Sequence, residues 1–175
     1  MEIEIRARIN DLPLLQKQLN SLSGIRIKKQ ADREVDTYIR HSKDNEGLLI
    51  FRIRRKEDGA MFTLKTKSAA TKDIAWKDID LPLEDPDRLE DILMNSGYEY
   101  VVLIDKVRDS FQYDEYEINI DNIRDLGHFI EIEAQGAGIN IDEKILEMKK
   151  IFNRLGIADK DIIEKGYVQL MKEKR

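Results

Sequence analysis

The sequence predicts an α+β fold in which about eight antiparallel strands carry inserted and C-terminal helices. Several segments alternate polar and apolar residues with a period of two, which is typical of strands. Most of these segments follow one another through tight turns, such as the hairpin signal Asp58-Gly59, and short connections favour antiparallel pairing. Closure of such a sheet into a barrel would also remove its exposed edges.

The first strand shows the alternation most clearly, because residues 1–9 have charged side chains on one face and aliphatic ones on the other. A helix follows near Pro13, capped by Asn10 or Asp11 and ended by Gly24. Further strands are predicted over residues 25–40, with an interruption near Asp32, and over 48–56, 61–67, 74–83, 98–113, 116–121 and 128–134. Further helices are predicted over residues 87–96, 140–155 and 159–172.

Length and composition limit the class of protein. A chain of 175 residues predicts a single domain over residues 1–175, and 41% hydrophobic residues suffice for a core. Charged residues make up 37% of the chain, well above the usual ~25%. The net charge of −5 argues against a general nucleic-acid binder. Without cysteine, a signal peptide or an apolar run of ~18 residues, we expect a cytoplasmic protein that contacts no membrane.

The charged residues share one parity on several predicted strands, and their neighbours of the other parity are largely apolar. One interpretation is an ordinary sheet with one face in water. The other is a closed barrel with a polar lumen, where basic side chains bind phosphate oxygens and paired carboxylates bind Mg²⁺ or Mn²⁺. The residues concerned are Glu2, Glu4 and Arg6; Arg52 and Arg54; Lys65 and Lys67; Asp78 and Asp80; Lys106 and Arg108; and Glu131 and Glu133.

The same residues fall into motifs that resemble the CYTH family, the triphosphate tunnel metalloenzymes. Glu2, Glu4 and Arg6 are similar to the family's Glu-x-Glu-x-Lys, and residues 121–133 resemble its strand-turn-strand that ends in Glu-x-Glu. The resemblance covers nearly the whole chain and is closest to the class IV adenylyl cyclase branch. The remaining matches are Asp36 with Tyr38, Arg52 with Arg54, Thr63 with Lys65, Lys106 with Arg108, and residues 166–170.

The resemblance implies an eight-stranded antiparallel closed tunnel with one active site. It assigns catalytic roles to Glu2, Glu4, Arg6 and Glu133. It implies that Mg²⁺ or Mn²⁺ is held by Glu2, Glu4, Glu131, Glu133 and Asp121. It implies that a nucleoside triphosphate, or an inorganic or organic triphosphate, is bound by Arg6, Arg52, Arg54, Lys65, Lys106 and Arg108. A homodimer is left open.

Two departures from the family pattern bear on the reaction. Arg6 stands where the family has lysine and cannot lose its proton at ordinary pH. Trp76 stands where an arginine often precedes the acidic pair Asp78 and Asp80. Three functions stay open: conversion of ATP to cyclic AMP and pyrophosphate, which the resemblance favours; hydrolysis of inorganic, thiamine or nucleoside triphosphate; and triphosphate binding without catalysis.

Overall fold

A computed structural model describes residues 2–44, 49–66, 75–135 and 140–174, with the side chains of residues 75 and 76 left out. The described residues contain nine strands and four α-helices. In chain order they are β1 (Glu2–Arg8), α1 (Leu12–Ser21), β2 (Arg26–His41), β3 (Leu49–Lys56), β4 (Gly59–Thr66), β5 (Ala75–Leu83), α2 (Pro86–Met94), β6 (Tyr98–Tyr113), β7 (Tyr116–Ile123), β8 (Gly127–Gln135), α3 (Ile141–Arg154), β9 (Ile162–Ile163) and α4 (Tyr167–Lys174).

The chain divides into two compact units. The first unit comprises Met1–Ala31 and Val107–Glu164, and the second comprises Asp32–Lys106 and Lys165–Arg175. The long strands β2 and β6 therefore contribute one part to each unit. In the first unit the strand order is β2-β6-β7-β8-β1-β9, and in the second it is β5-β4-β3-β2-β6.

The first unit has its core on the apolar face of β1. Ile3, Ile5 and Ala7 are buried, as the alternation predicts. They belong to one cluster with Leu19 of α1 and Phe152 of α3. Burial of each such aliphatic or aromatic side chain contributes roughly 1.5–3 kcal/mol. The opposite face of β1 is therefore left to Glu2, Glu4 and Arg6.

Side chains cap the helices where the sequence indicates. Asp11 accepts a hydrogen bond of 3.0 Å from the Leu14 amide and caps α1. Asn140 caps α3 in the same way through the amide of Glu143. Such caps are worth about 1 kcal/mol each and help to set where the helices begin.

The second unit pairs β3 with both β2 and β4 in antiparallel register. Asp36 lies opposite Arg54, and Arg52 lies opposite Thr63. The other face of this sheet is apolar, and the rings of Phe51 and Phe62 lie 5.4 Å apart there. Polar and apolar side chains are thus separated onto two faces, as the shared parity predicts.

The predicted C-terminal helix over residues 159–172 is confirmed from residue 167 onwards and wrong for residues 159–166. Asp159–Asp161 forms a 3-10 turn, Ile162–Ile163 forms β9, and the helix α4 begins only at Tyr167. β-Branched residues favour extended backbone, and here Ile162 and Ile163 pair with Ala7 and Arg6 of β1. The pairing of Ile162 and Ile163 with β1 is therefore favoured over the predicted helix. Gly166 weakens that helix further, because glycine has a low helix propensity.

The antiparallel α+β class is confirmed, but the expected count of eight strands is corrected to nine by β9. Each unit by itself contains an open sheet, and closure of the strands into a barrel stays a prediction. The predicted interruption of β2 near Asp32 corresponds to Ala31, which has a positive φ of 52° inside a continuous strand. Across the described residues, no helix combines the length and apolar character that a membrane span requires.

Candidate active site

The polar face of the first unit gathers acids from two neighbouring strands. β1 and β8 pair in a register that places Glu4 opposite Glu133 and Arg6 opposite Glu131. Residues directly opposite each other on paired strands point to the same side of the sheet, so the charged residues of both strands meet. Carboxylate oxygens of Glu4, Glu131 and Glu133 all lie within 4.8 Å of one another. These three carboxylates are spaced closely enough to hold one metal ion.

Two guanidinium groups neutralise part of this acidic set. Arg6 donates to Glu131 Oε1 over 2.8 Å and also to Glu4. Arg108 donates to both oxygens of Asp121 and to Glu131 Oε2, over 2.6 Å in each case. The side chains of Arg6, Asp121 and Glu131 are at most 5% exposed. The ion pairs raise the pKa of Arg108 well above its ordinary value against the opposing effect of burial, so the group stays charged.

The set still has an excess of acid. Glu4, Asp121, Glu131 and Glu133 offer four carboxylates to two guanidinium groups, which leaves two negative charges if all are ionised. Burial raises the pKa of Glu133 to about 8; the neighbouring carboxylates add to this shift and Arg108 opposes it. A divalent cation would match the excess charge and relieve the same repulsion, so the residues present fit a metal ion.

The remaining residues predicted to bind metal are placed differently. Glu2 lies opposite Gln135 at the start of β1 and accepts a hydrogen bond of 3.4 Å from its amide. Asp121 is fully buried, and Arg108 donates to both of its oxygens. The structure therefore brings Glu4, Glu131 and Glu133 together in a cluster that could hold a metal ion, whereas Asp121 contacts Arg108, a basic side chain predicted to bind phosphate.

The second unit gathers basic side chains on the polar face of β3 and β4. Arg52 donates to the hydroxyl of Thr63 over 2.8 Å, and Thr63 donates to Asp80 Oδ1 over 2.6 Å. Arg52 itself lies 3.7 Å from that carboxylate, whose side chain is 52% exposed. Lys65 pairs with Asp78 on the next strand. Burial alone would lower the pKa of Lys65, yet the nearby acidic groups hold it above its ordinary value.

Arg54 has a different environment from Arg52. It donates to both oxygens of Asp36 over 2.7 Å and to Glu34 Oε1 over 3.2 Å. Both acids are only 1% exposed. Burial alone would raise the pKa of Asp36, but the charge and hydrogen bonds of Arg54 hold it below its ordinary value. Lys106, also buried, lies 3.3 Å from Glu34 Oε2. The guanidinium of Arg54 is thus bound by two buried carboxylates.

Sequence reasoning did not identify several polar residues of these faces. Glu34 and Asp36 alternate on β2, and Asn119 lies two positions before Asp121 on β7. The alternation along each strand was the signal that could have found them. Glu34 lies on the same face of β2 as Asp36, and Asn119 lies on the same face of β7 as Asp121. Asp36 belongs to a family motif with Tyr38, whereas Asn119 belongs to none of the motifs. Two earlier expectations cannot be placed, because Lys67 and the Trp76 side chain lie outside the described residues.

Comparison with known proteins shows which proteins have a similar sequence and a similar fold. A protein of Methanocaldococcus jannaschii with a provisional adenylate cyclase name is 30% identical over 177 residues, which cover 97% of this chain and 98% of that protein. The Pyrococcus horikoshii protein PH1819 has a similar fold, with a TM-score of 0.83 and 23% identity over 100% of both chains.

A Hippeastrum protein, provisionally an adenylyl cyclase and described as having a dominant triphosphatase activity, also shares the fold. Its TM-score is 0.70 at 14% identity, over 100% of this chain and 97% of that one. The sequence itself matches the CYTH domain over residues 1–167. With that match over nearly its whole length, the chain belongs to the CYTH domain family, on its adenylyl cyclase-like branch.

Proposed function

We propose that this protein is a metal-dependent enzyme that acts on a triphosphate, and that its reaction converts ATP to cyclic AMP and pyrophosphate. The observation that carries the proposal is the cluster of Glu4, Glu131 and Glu133, whose carboxylates lie within 4.8 Å of one another. Proteins of the CYTH family depend on a metal. Oxygen ligands favour a hard cation, so we propose Mg²⁺ or Mn²⁺.

The basic side chains would bind the phosphates. Arg52 and Lys65 are the strongest candidates, because both are largely buried cations on the polar face, where Arg52 lies 3.7 Å from Asp80 and Lys65 pairs with Asp78. Lys106, Arg6 and Arg108 complete the proposed set as buried cations that also contact carboxylates. Arg54 belongs to the set through its motif, although its donors are engaged by Asp36 and Glu34.

The bound cation would neutralise the phosphate oxygens and polarise the phosphorus that is attacked. The protein's own contribution is to bind and orient the phosphates through these basic side chains. Arg6 keeps its proton at ordinary pH and therefore binds charge and does not remove a proton. A hydrolytic mechanism in which the side chain at position 6 takes a proton from the attacking water is therefore disfavoured.

Hydrolysis of a triphosphate is the second candidate. It is supported by the relative from Hippeastrum, which is described as having a dominant triphosphatase activity. The same metal ligands and cations would serve, and water would replace the ribose hydroxyl as nucleophile.

Product analysis separates the candidates. The purified protein is incubated with ATP, inorganic triphosphate and thiamine triphosphate, each with Mg²⁺ or Mn²⁺. Cyclic AMP with pyrophosphate supports the cyclase reaction, and orthophosphate supports hydrolysis. Binding without any turnover would contradict the proposal that the protein is an enzyme.

A further inference from the structure

A chain of buried hydrogen bonds ends at the Glu133 carboxylate. Ser110 of β6 donates through its hydroxyl to Asn119 Oδ1 of β7 over 2.6 Å. Asn119 then donates through Nδ2 to Glu133 Oε1 of β8 over 3.0 Å. Asn119 is 0% exposed and Ser110 is 8% exposed. All three residues lie in the first unit, on adjacent strands.

The orientation of the Asn119 amide follows from the chemistry of its neighbours. The Asn119 amide nitrogen faces Glu133 and donates to its Oε1, which is the orientation required by a carboxylate that a bound cation keeps ionised, because such a group only accepts hydrogen bonds. The amide oxygen then faces Ser110, whose hydroxyl can donate to it. The Ser110 hydroxyl and both the oxygen and the nitrogen of the Asn119 amide have hydrogen-bond partners, so the buried amide has one favoured orientation and little freedom to turn.

The contacts of Glu133 fall on one of its two oxygens. Asn119 donates to Oε1, and Arg108 NH1 lies 3.6 Å from the same atom. In the part of the chain that the structure describes, Oε2 has no hydrogen-bond partner. One oxygen is thus fixed by the protein, and the other stays available to a cation near Glu4 and Glu131.

We propose that Asn119 and Ser110 are positioning residues that orient Glu133 as a metal ligand. The proposal rests on the metal site of the proposed function. Groups that hydrogen-bond a metal ligand fix its orientation, and their loss typically weakens metal binding by about 10–100-fold. Ser110 and Asn119 can act together because they lie on the same face of the neighbouring strands β6 and β7. Ser110 lies two positions after Arg108 and Asn119 two positions before Asp121, on the polar face.

The test measures Mn²⁺ binding directly, without any substrate or turnover. Free Mn²⁺ is followed by electron paramagnetic resonance during titration of the full-length protein, and the Kd is compared between variants. We expect Asn119→Ala to raise the Kd at least about 10-fold. Ser110→Ala should raise it less, because the amide remains, and Ser110→Thr should leave it unchanged, because the hydroxyl remains.

The possible outcomes are distinct. If the wild-type protein does not bind Mn²⁺, the proposed metal site itself is wrong. If the wild type binds and Asn119→Ala binds equally well, the positioning role is wrong, whatever happens to its melting temperature. If Asn119→Ala does not fold, the comparison of Ser110→Ala with Ser110→Thr decides: equal Kd values for these two would overturn the inference.

Discussion

Arg52 and Arg54 lie two positions apart on β3 and share a motif, but their partners differ. Arg52 is held by a neutral hydroxyl and by an exposed carboxylate at 3.7 Å. We therefore expect Arg52→Ala to weaken triphosphate binding with little change in the free energy of unfolding. A lost hydrogen bond to a charged group corresponds to about 1.5–3 kcal/mol of binding. Isothermal titration with inorganic triphosphate and Mg²⁺ measures the first quantity, and urea unfolding measures the second.

Arg54→Ala provides the comparison. It leaves the buried Asp36 without its principal cation and removes one of the cations that contact Glu34. Removal of one partner from a buried ion pair costs roughly 3–5 kcal/mol of stability. The exposed variant Lys174→Ala should change neither quantity. If Arg54→Ala unfolds at the wild-type urea concentration, the structural role assigned to Arg54 is contradicted.

Glu133 is the residue on which the metal assignment depends most. Glu133→Gln keeps the size of the side chain but removes its charge, so the fold should remain and turnover should be abolished. Addition of EDTA to the wild-type protein should have the same effect on turnover. Circular dichroism and product formation are measured together. Full activity in EDTA, or in the variant, would refute the metal site.

At the scale of a single element, β2 carries an unusual set of buried acids. Asp32, Glu34 and Asp36 are at most 9% exposed and share one face of the strand. Lys56 contacts Asp32 over 2.7 Å and Glu34 over 2.6 Å, while Arg54 contacts Asp36. An extended strand with acids at every second position is thus stable only because the basic strand β3 lies beside it.

This arrangement predicts how stability depends on pH. The pKa of Asp36 is lower in the folded protein than its ordinary value of 3.8. An acid of this kind stabilises the fold above its unfolded pKa, and the contribution is lost as the pH falls through the folded pKa. Asp36→Asn should therefore be less stable than the wild type at pH 7, and the difference should shrink below about pH 4.

The measurement is the free energy of urea unfolding between pH 7 and pH 2. Asp91→Asn, which alters an exposed acid of α2, is the matched control and should follow the wild type throughout. A constant difference between Asp36→Asn and the wild type at all pH values would show that the ion pair with Arg54 does not govern the pKa of Asp36.

At the scale of the whole molecule, ligand binding should appear as added stability. The basic side chains of the candidate site repel one another, and so do its clustered carboxylates. A bound triphosphate would neutralise the basic side chains, and its metal ion would neutralise the carboxylates. A ligand that binds only the folded state adds about 2.7 kcal/mol at 100-fold excess over Kd. We therefore expect a clear rise in melting temperature with inorganic triphosphate and Mg²⁺, and a smaller rise with orthophosphate.

The control for this experiment is sulfate at the same ionic strength, since salt alone screens repulsion between the charges. Arg52→Ala or Lys106→Ala should reduce the rise, and Lys174→Ala should not. Equal shifts with triphosphate and sulfate would mean that the basic side chains form only a solvated surface.

The sequence alone was sufficient for the local features of this protein. The alternation in residues 1–9 predicted β1 and its two faces, and Asp11 predicted the start of α1, because both follow from geometry within a few residues. The family motifs also identified the acids and bases of the candidate site. These signals are local or repeated along the chain, so no knowledge of distant contacts was needed.

Only the tertiary structure decided which residues far apart in the sequence come into contact. Ile162 and Ile163 form a strand because β1 offers them a partner, and nothing within residues 159–172 indicates that partner. Similarly, both Arg54 and Arg52 fit a phosphate motif, but the pairing of β2 with β3 binds only Arg54 to Asp36 and Glu34. Asn119 became relevant only when β7 placed it beside Glu133. Ion pairs and hydrogen bonds act across strands far apart in sequence, and the pairing of those strands in the folded sheet determines which of them form.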